Sequence, residues 1–152
     1  MRFEFASLSV SGDVCSLSTY DLLINLSGTI RGINGSGHSF QMSDVACLWL
    51  AYELLGACLE ACKQRTKVKF RDFYDEYEAS VTPNSSGEFT LGLLVDEPEF
   101  KGSLVSSDLR AMIETLVESI RRDIPSLQEC EAFQNLNAQM NSLLGELERF
   151  SP

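Results

Sequence analysis

The stretch ACLWLAYELLGACLEAC, from Ala46 to Cys62, carries only two charges, Glu53 and Glu60, and no proline. A helix that is apolar around most of its circumference is stable only when other elements cover it. The chain is therefore expected to wrap around a central helix. That helix is expected from about Ser43 to Gln64, with Ser43 as N-cap and Asp44 in the first turn, where the helix dipole favours a carboxylate.

The same stretch holds three of the five cysteines and the only tryptophan. With Cys47 at zero degrees and about 100° per residue, Cys58 falls near 20° and Cys62 near 60°. Ala51, Leu54 and Leu55 share that sector, so these cysteines lie on the most apolar stripe, where a thiol behaves as a small hydrophobe. A zinc site would need further ligands, and the lone histidine, His38, sits in a distant Gly/Ser segment. Neither a metal nor another cofactor is expected. Trp49 falls near 200°, beside Glu53 and Glu60. It either packs under a neighbouring strand or the last helix, or stands out as an anchor for a partner.

Around this helix the chain reads as strands and then helices. Residues 2–10 alternate as a strand does, and Tyr20 to Ile33 reads as a second strand, bent near Gly28. Asn34-Gly35-Ser36-Gly37 is a turn. Lys67 to Thr82 and Glu88 to Val95 read as two more strands, separated by a loop at Pro83–Gly87. Lys101–Val105 is a short edge strand or the lead-in to a helix. A helix capped by Ser107 is expected to end near Asp123, ahead of Ile124-Pro125, with Leu109, Met112, Ile113, Leu116, Val117 and Ile120 on one stripe. Ser126-Leu127-Gln128-Glu129 fits a capping box for a last helix reaching about Arg149. In it Phe133, Leu136, Met140, Leu143, Leu147 and Phe150 follow a heptad spacing that suits either the chain's own core or a homodimer through residues 126–150. The expected class is α+β: an antiparallel sheet of four to five strands, a buried central helix and one or two C-terminal helices. Residues 1–125 form the domain, and 126–152 supply an amphipathic helix that packs on it or mediates self-association.

Net charge bears on partners. Twenty-two acidic residues against 12 basic ones leave −10, which argues against a nucleic-acid or anionic-membrane surface. No apolar run is long enough for a membrane span, and MRFEFASLSV has no secretory h-region. A cytoplasmic protein with free thiols is expected. The nucleotide-binding, hydrolase and metalloprotease motifs are missing, and one loop histidine is a poor basis for a triad. The chain is therefore read as a binding protein rather than an enzyme.

The segment FRDFYDEYE brings Asp72, Asp75, Glu76 and Glu78 together with Phe70, Phe73, Tyr74 and Tyr77. On an extended strand Glu76 and Glu78 would share one face, and Asp75 and Tyr77 the other. The cluster is either a solvated strand face or a docking surface. In a docking surface the aromatics supply contact area and the carboxylates steer a basic partner. The turn at Asp96, Glu97 and Glu99 would extend it. General acid/base chemistry on these carboxylates is a third possibility without a supporting motif.

The order of these segments resembles the small bacterial immunity proteins of the WapI-like kind, which neutralise polymorphic toxins. The resemblance covers residues 2–125 and runs through DLLINLSGTI, YELLGACLEA, VKFRDFYDEYEASV, FTLGLLVDEP and SSDLRAMIETLVESI. The helix after Pro125 is additional to that pattern. The resemblance implies an inhibitor that binds a cognate toxin, a basic toxin surface being matched by an acidic one, and occludes its active site without catalytic residues of its own. The residues expected at the contact are Asp72, Tyr74, Asp75, Glu76, Glu78 and Trp49. The alternative is a secretion chaperone or adaptor that binds an effector as a dimer.

Overall fold

The computed structural model describes residues 1–84, 87–95 and 98–150. The class is α+β, with seven strands and four α-helices among the described residues. The strands form two antiparallel sheets, where one sheet of four or five strands was expected.

The first sheet has the order β1-β2-β3, with β1 Arg2–Val10, β2 Leu26–Ile33 and β3 Ser39–Ala46. The second has the order β4-β5-β6-β7, with β4 Val68–Arg71, β5 Glu78–Pro83, β6 Phe89–Leu94 and β7 Phe100–Leu104. Four helices complete the chain: α1 Thr19–Asn25, α2 Cys47–Gln64, α3 Ser106–Asp123 and α4 Glu131–Glu148.

Helix α2 is central, as its composition requires. It touches β2, β4, β5, α1, α3 and α4. Ten of its residues are buried, from Cys47 through Ala61, and Arg65 ends it in the left-handed conformation with its N–H donating to Ala61 O at 2.8 Å. Its start differs from expectation. Ser43 and Asp44 do not cap a helix; they belong to β3. Phe40 and Met42 point inward between outward Ser39, Gln41 and Ser43, a period of two that satisfies the core through strand pairing with β2. Asp44 adopts φ 56°, beside a register shift between β2 and β3. Val45 and Ala46 after it are both fully buried, and α2 begins at Cys47 with no side-chain cap.

The segment Tyr20–Ile33 is likewise not one strand. Ser18 Oγ accepts from Asp21 N at 3.1 Å, and this cap starts the two turns of α1. Leu22 is thereby fully buried while Tyr20 stays exposed. The bend expected near Gly28 is present. Ser7, at φ 55°, bulges β1 between Ala6 and Ser9. A Cβ on Gly28 would come within 2.6 Å of Leu8 Cδ2 and 2.9 Å of Ala6 O, so glycine is required there.

The two sheets meet through Phe40 of β3 and Phe100 of β7, whose rings lie edge to face with centroids 4.9 Å apart. Asn34 Nδ2 donates to Lys101 O at 2.8 Å across the same seam. On the other side α3 covers the free edge of β1. Leu8 N donates to Asp123 Oδ2 at 3.1 Å, and the Arg122 guanidinium donates to Phe5 O at 3.4 Å. The Arg122 hydrogen bond, followed by that from Leu8, holds the Asp123 carboxyl below the usual range.

Residues 126–129 do not form a capping box. Pro125 opens a 3-10 turn, Pro125–Glu129, that plugs fully buried Leu127 into the core. Cys130 N then donates to Leu127 O at 3.0 Å, and α4 starts at Glu131. Phe133, Leu136, Met140, Leu144 and Leu147 are buried against α1, α2 and α3, and Arg110 Nε donates to Glu148 Oε1 at 2.8 Å. The heptad residues therefore complete the chain's own core. Phe150 is exposed and Leu143 half-buried. The outward face, with Gln134, Asn135, Gln139 and Asn141, is polar.

Candidate binding site

The acidic and aromatic segment is a hairpin rather than one long strand. Strand β4 stops at Arg71, residues 72–77 turn the chain, and β5 starts at Glu78, paired with Arg71. Asp72 makes the turn. Its carboxylate accepts from Tyr77 N at 2.6 Å and from Tyr74 N at 3.1 Å, while Asp72 O accepts from Asp75 N at 3.1 Å. Asp75 takes φ 62°, a left-handed conformation that aspartate tolerates better than most side chains. Asp72 is only 4% exposed, so this carboxylate serves the backbone and is not presented to a partner.

Charge pairing holds the outside of the turn. Arg71 reaches Asp75 Oδ1 with Nη1 and Glu78 Oε2 with Nη2, each at 3.1 Å. Lys69 Nζ lies 3.3 Å from Glu78 Oε1. Such exposed pairs add little to stability individually, but they neutralise much of the negative charge expected here. Glu76 is exposed and makes no ion pair among the described residues. Glu76 and Glu78 do not share a strand face, because Glu76 lies in the turn and only Glu78 in β5.

Trp49 braces the turn from behind. It sits on the polar edge of α2, half-buried, and its Nε1 donates to Arg71 O at 3.3 Å, where β4 ends. Its ring meets Phe73 edge to face at 5.3 Å, and Phe73 meets Tyr74 in the same manner at 5.4 Å. Trp49 therefore packs under the neighbouring hairpin. The aromatic that stands out is Tyr74, half-exposed at the end of the row. Arg71, which latches the turn, was not singled out from the sequence, and Phe73, expected as one of the contact aromatics, instead links the turn to α2. The available signal was Asp72 itself, a turn-former inside a segment too long for one strand.

Of the other acidic turn, Asp96 and Glu97 lie outside the described residues, and Glu99 is exposed beside Gly92. Two of the three cysteines of α2 behave as core, and Cys62 is half-buried. Cys47 and Cys58 are fully buried, and burial pushes the Cys47 thiol up to about 12 and that of Cys58 higher still. Among the described residues, no three His, Cys, Asp or Glu side chains converge as metal ligands. His38 lies exposed in the β2–β3 turn, where its backbone N–H donates to Asn34 Oδ1 at 3.0 Å. A cleft of about 660 Å³ opens at the far end of α2 beside Cys62, Lys63, Arg65, Pro83 and Phe150. Among the described residues, no helix is long and apolar enough to cross a membrane. No family model, curated protein or solved structure matches the chain.

Proposed function

We propose that this protein is an inhibitor of the immunity type, which binds a basic toxin domain through the 72–77 turn and blocks access to the toxin's active site. The observation that carries this reading is the bracing of the turn. Asp72 fixes its backbone, Arg71 latches its outside, and the Trp49–Phe73 contact supports it from α2, so that Tyr74 and Glu76 are displayed on a fixed frame. A loop ordered before binding loses little further freedom when a partner arrives. Tyrosine supplies contact area with few rotatable bonds. A chain of net charge −10 speeds its encounter with a positively charged domain. The occlusion needs no group chemistry from the inhibitor, so we propose a binding protein rather than an enzyme. Its setting would be the cytoplasm of a toxin-producing cell.

The test is co-purification from the native host with mass spectrometry, followed by binding kinetics on the captured domain. The expected result is a stoichiometric, basic, toxic C-terminal domain. Tyr74→Ala should weaken its binding tenfold or more, and Glu76→Lys should slow association severalfold at low salt. Unchanged rates in both variants would move the contact elsewhere on the surface. Capture of the N-terminal segment of a secreted effector would replace the immunity reading by a chaperone one.

A further inference from the structure

Cys15 and Cys130 lie 115 positions apart in sequence, yet their Sγ atoms are 2.6 Å from each other. That is only about 0.5 Å longer than the ~2.05 Å bond of a disulfide. Both backbones are locally fixed. Cys15 lies in the 3-10 turn Val14–Ser16, where its N–H donates to Asp13 Oδ1 at 3.2 Å and Ser16 Oγ donates to Asp13 O at 2.9 Å. Cys130 is the residue between the second 3-10 turn and α4, bonded through its N–H to Leu127 O. Cys15 is exposed and Cys130 buried. A small reagent can therefore reach the Cys15 residue from solvent, whereas Cys130 is shielded. In α2, Cys47 and Cys58 are sealed in the core and Cys62 is half-buried.

We propose that Cys15 and Cys130 form a thiol–disulfide exchange site, oxidised by a low-molecular-weight disulfide such as glutathione disulfide to a Cys15–Cys130 bond. Cys15 is the attacking sulfur because it is the accessible one. Cys130 is held protonated: its hydrogen bond with Cys15, then burial and the charges of Cys15, Asp13 and Glu129, push its thiol up to about 11. The Cys15 thiolate attacks one sulfur of the small disulfide, whose S–S bond breaks. One glutathione leaves and takes up a proton, and a mixed disulfide remains on Cys15. Cys130 then gives its proton to solvent and attacks Cys15 Sγ, and the second glutathione leaves. Two protein thiols lose two electrons, and one glutathione disulfide becomes two glutathiones. The bond ties the segment after β1 to the start of α4.

The full chain, purified reduced and incubated with glutathione disulfide, would be acid-quenched, alkylated and mapped by mass spectrometry. The expected product has lost two of its five thiols, carries no glutathione and yields a 15–130 cross-linked peptide. Its Tm should rise by roughly 10 °C, because closing so long a loop restricts the unfolded chain. Cys130→Ala should instead trap one glutathione on Cys15, and Cys15→Ser, at an exposed position, should take up neither. In urea the 15–130 pairing should lose its preference. A stable glutathione adduct on Cys15 of the unmodified folded chain, or cross-links distributed equally among the cysteines, would overturn the proposal.

Discussion

Asp72 stands in for two backbone acceptors that a six-residue turn does not provide, and its oxygens are spent on Tyr74 and Tyr77. Asp72→Ala would leave those N–H groups short of partners inside a partly buried turn. It should lower stability by about 2 kcal/mol, read from the urea midpoint, while Asp72→Asn should lose less. A second residue-scale effect concerns the thiols of α2. Cys47 keeps its proton in the folded state up to about 12, against an ordinary value of 9.0. Cys58 is raised in the same direction. A raised folded value means that the contribution is intact below the unfolded value and is lost as pH rises from about 9 towards the folded one. Each thiol adds a slope of about 1.4 kcal/mol per pH unit in that window. Urea midpoints between about pH 8 and about 10.5, under reductant, should therefore fall with pH more steeply for the natural chain than for Cys47→Ala/Cys58→Ala. These residues illustrate what was legible. The wheel position predicted the burial of Cys47 and Cys58, because a helix's own geometry sets which side chains share a face, whereas Cys62 near the end of α2 is only half-buried. That a turn falls at Asp72 was legible from the length of the segment, but the burial of its carboxylate was not, since that depends on Trp49 and Phe73 packing behind the turn.

At the scale of elements, α4 was legible as an amphipathic helix, but its occupant was not. Its stripe fits any apolar groove, and the chain's own α1, α2 and α3 provide one. Leu136 is fully buried there, so Leu136→Ala should cost about 2–5 kcal/mol. Sedimentation should show the same molecular mass for both forms. By contrast Ser126→Ala should change the unfolding midpoint by less than about 0.5 kcal/mol, because exposed Ser126 caps no helix. The capping-box pattern misled because Pro125 and buried Leu127 hold the segment in a 3-10 turn. Strand β3 was hidden in a similar manner. Ser43-Asp44 reads as a helix start in isolation, whereas pairing with β2 and the burial of Phe40, Met42 and Val45 draw the segment into a sheet.

At the scale of the molecule, both sheets and all four helices contribute to one apolar cluster, with α2 at its centre. The Phe40–Phe100 contact is where the sheets join. Phe100→Ala should cost about 3–5 kcal/mol. Unfolding should remain a single transition, with Trp49 fluorescence and far-UV circular dichroism giving the same midpoint. Two separated transitions would show that the sheets are stabilised independently. The net charge of −10 also belongs to this scale. Around the turn itself Lys69 and Arg71 offset Glu78 and Asp75, so steering of a basic partner would come from the whole surface more than from the cluster.

By itself the sequence determined the α+β class, the central place of α2 and the inward stripes of α3 and α4, because periodicity and apolar content act within a single element. Only the tertiary structure decided how the strands divide into two sheets, which groove takes α4, and which carboxylates near residue 75 are paired, buried or free. Those outcomes depend on groups brought together across the chain, such as Trp49 with Arg71 and Cys15 with Cys130. No local pattern encodes the energy of a contact whose partner lies tens of residues away.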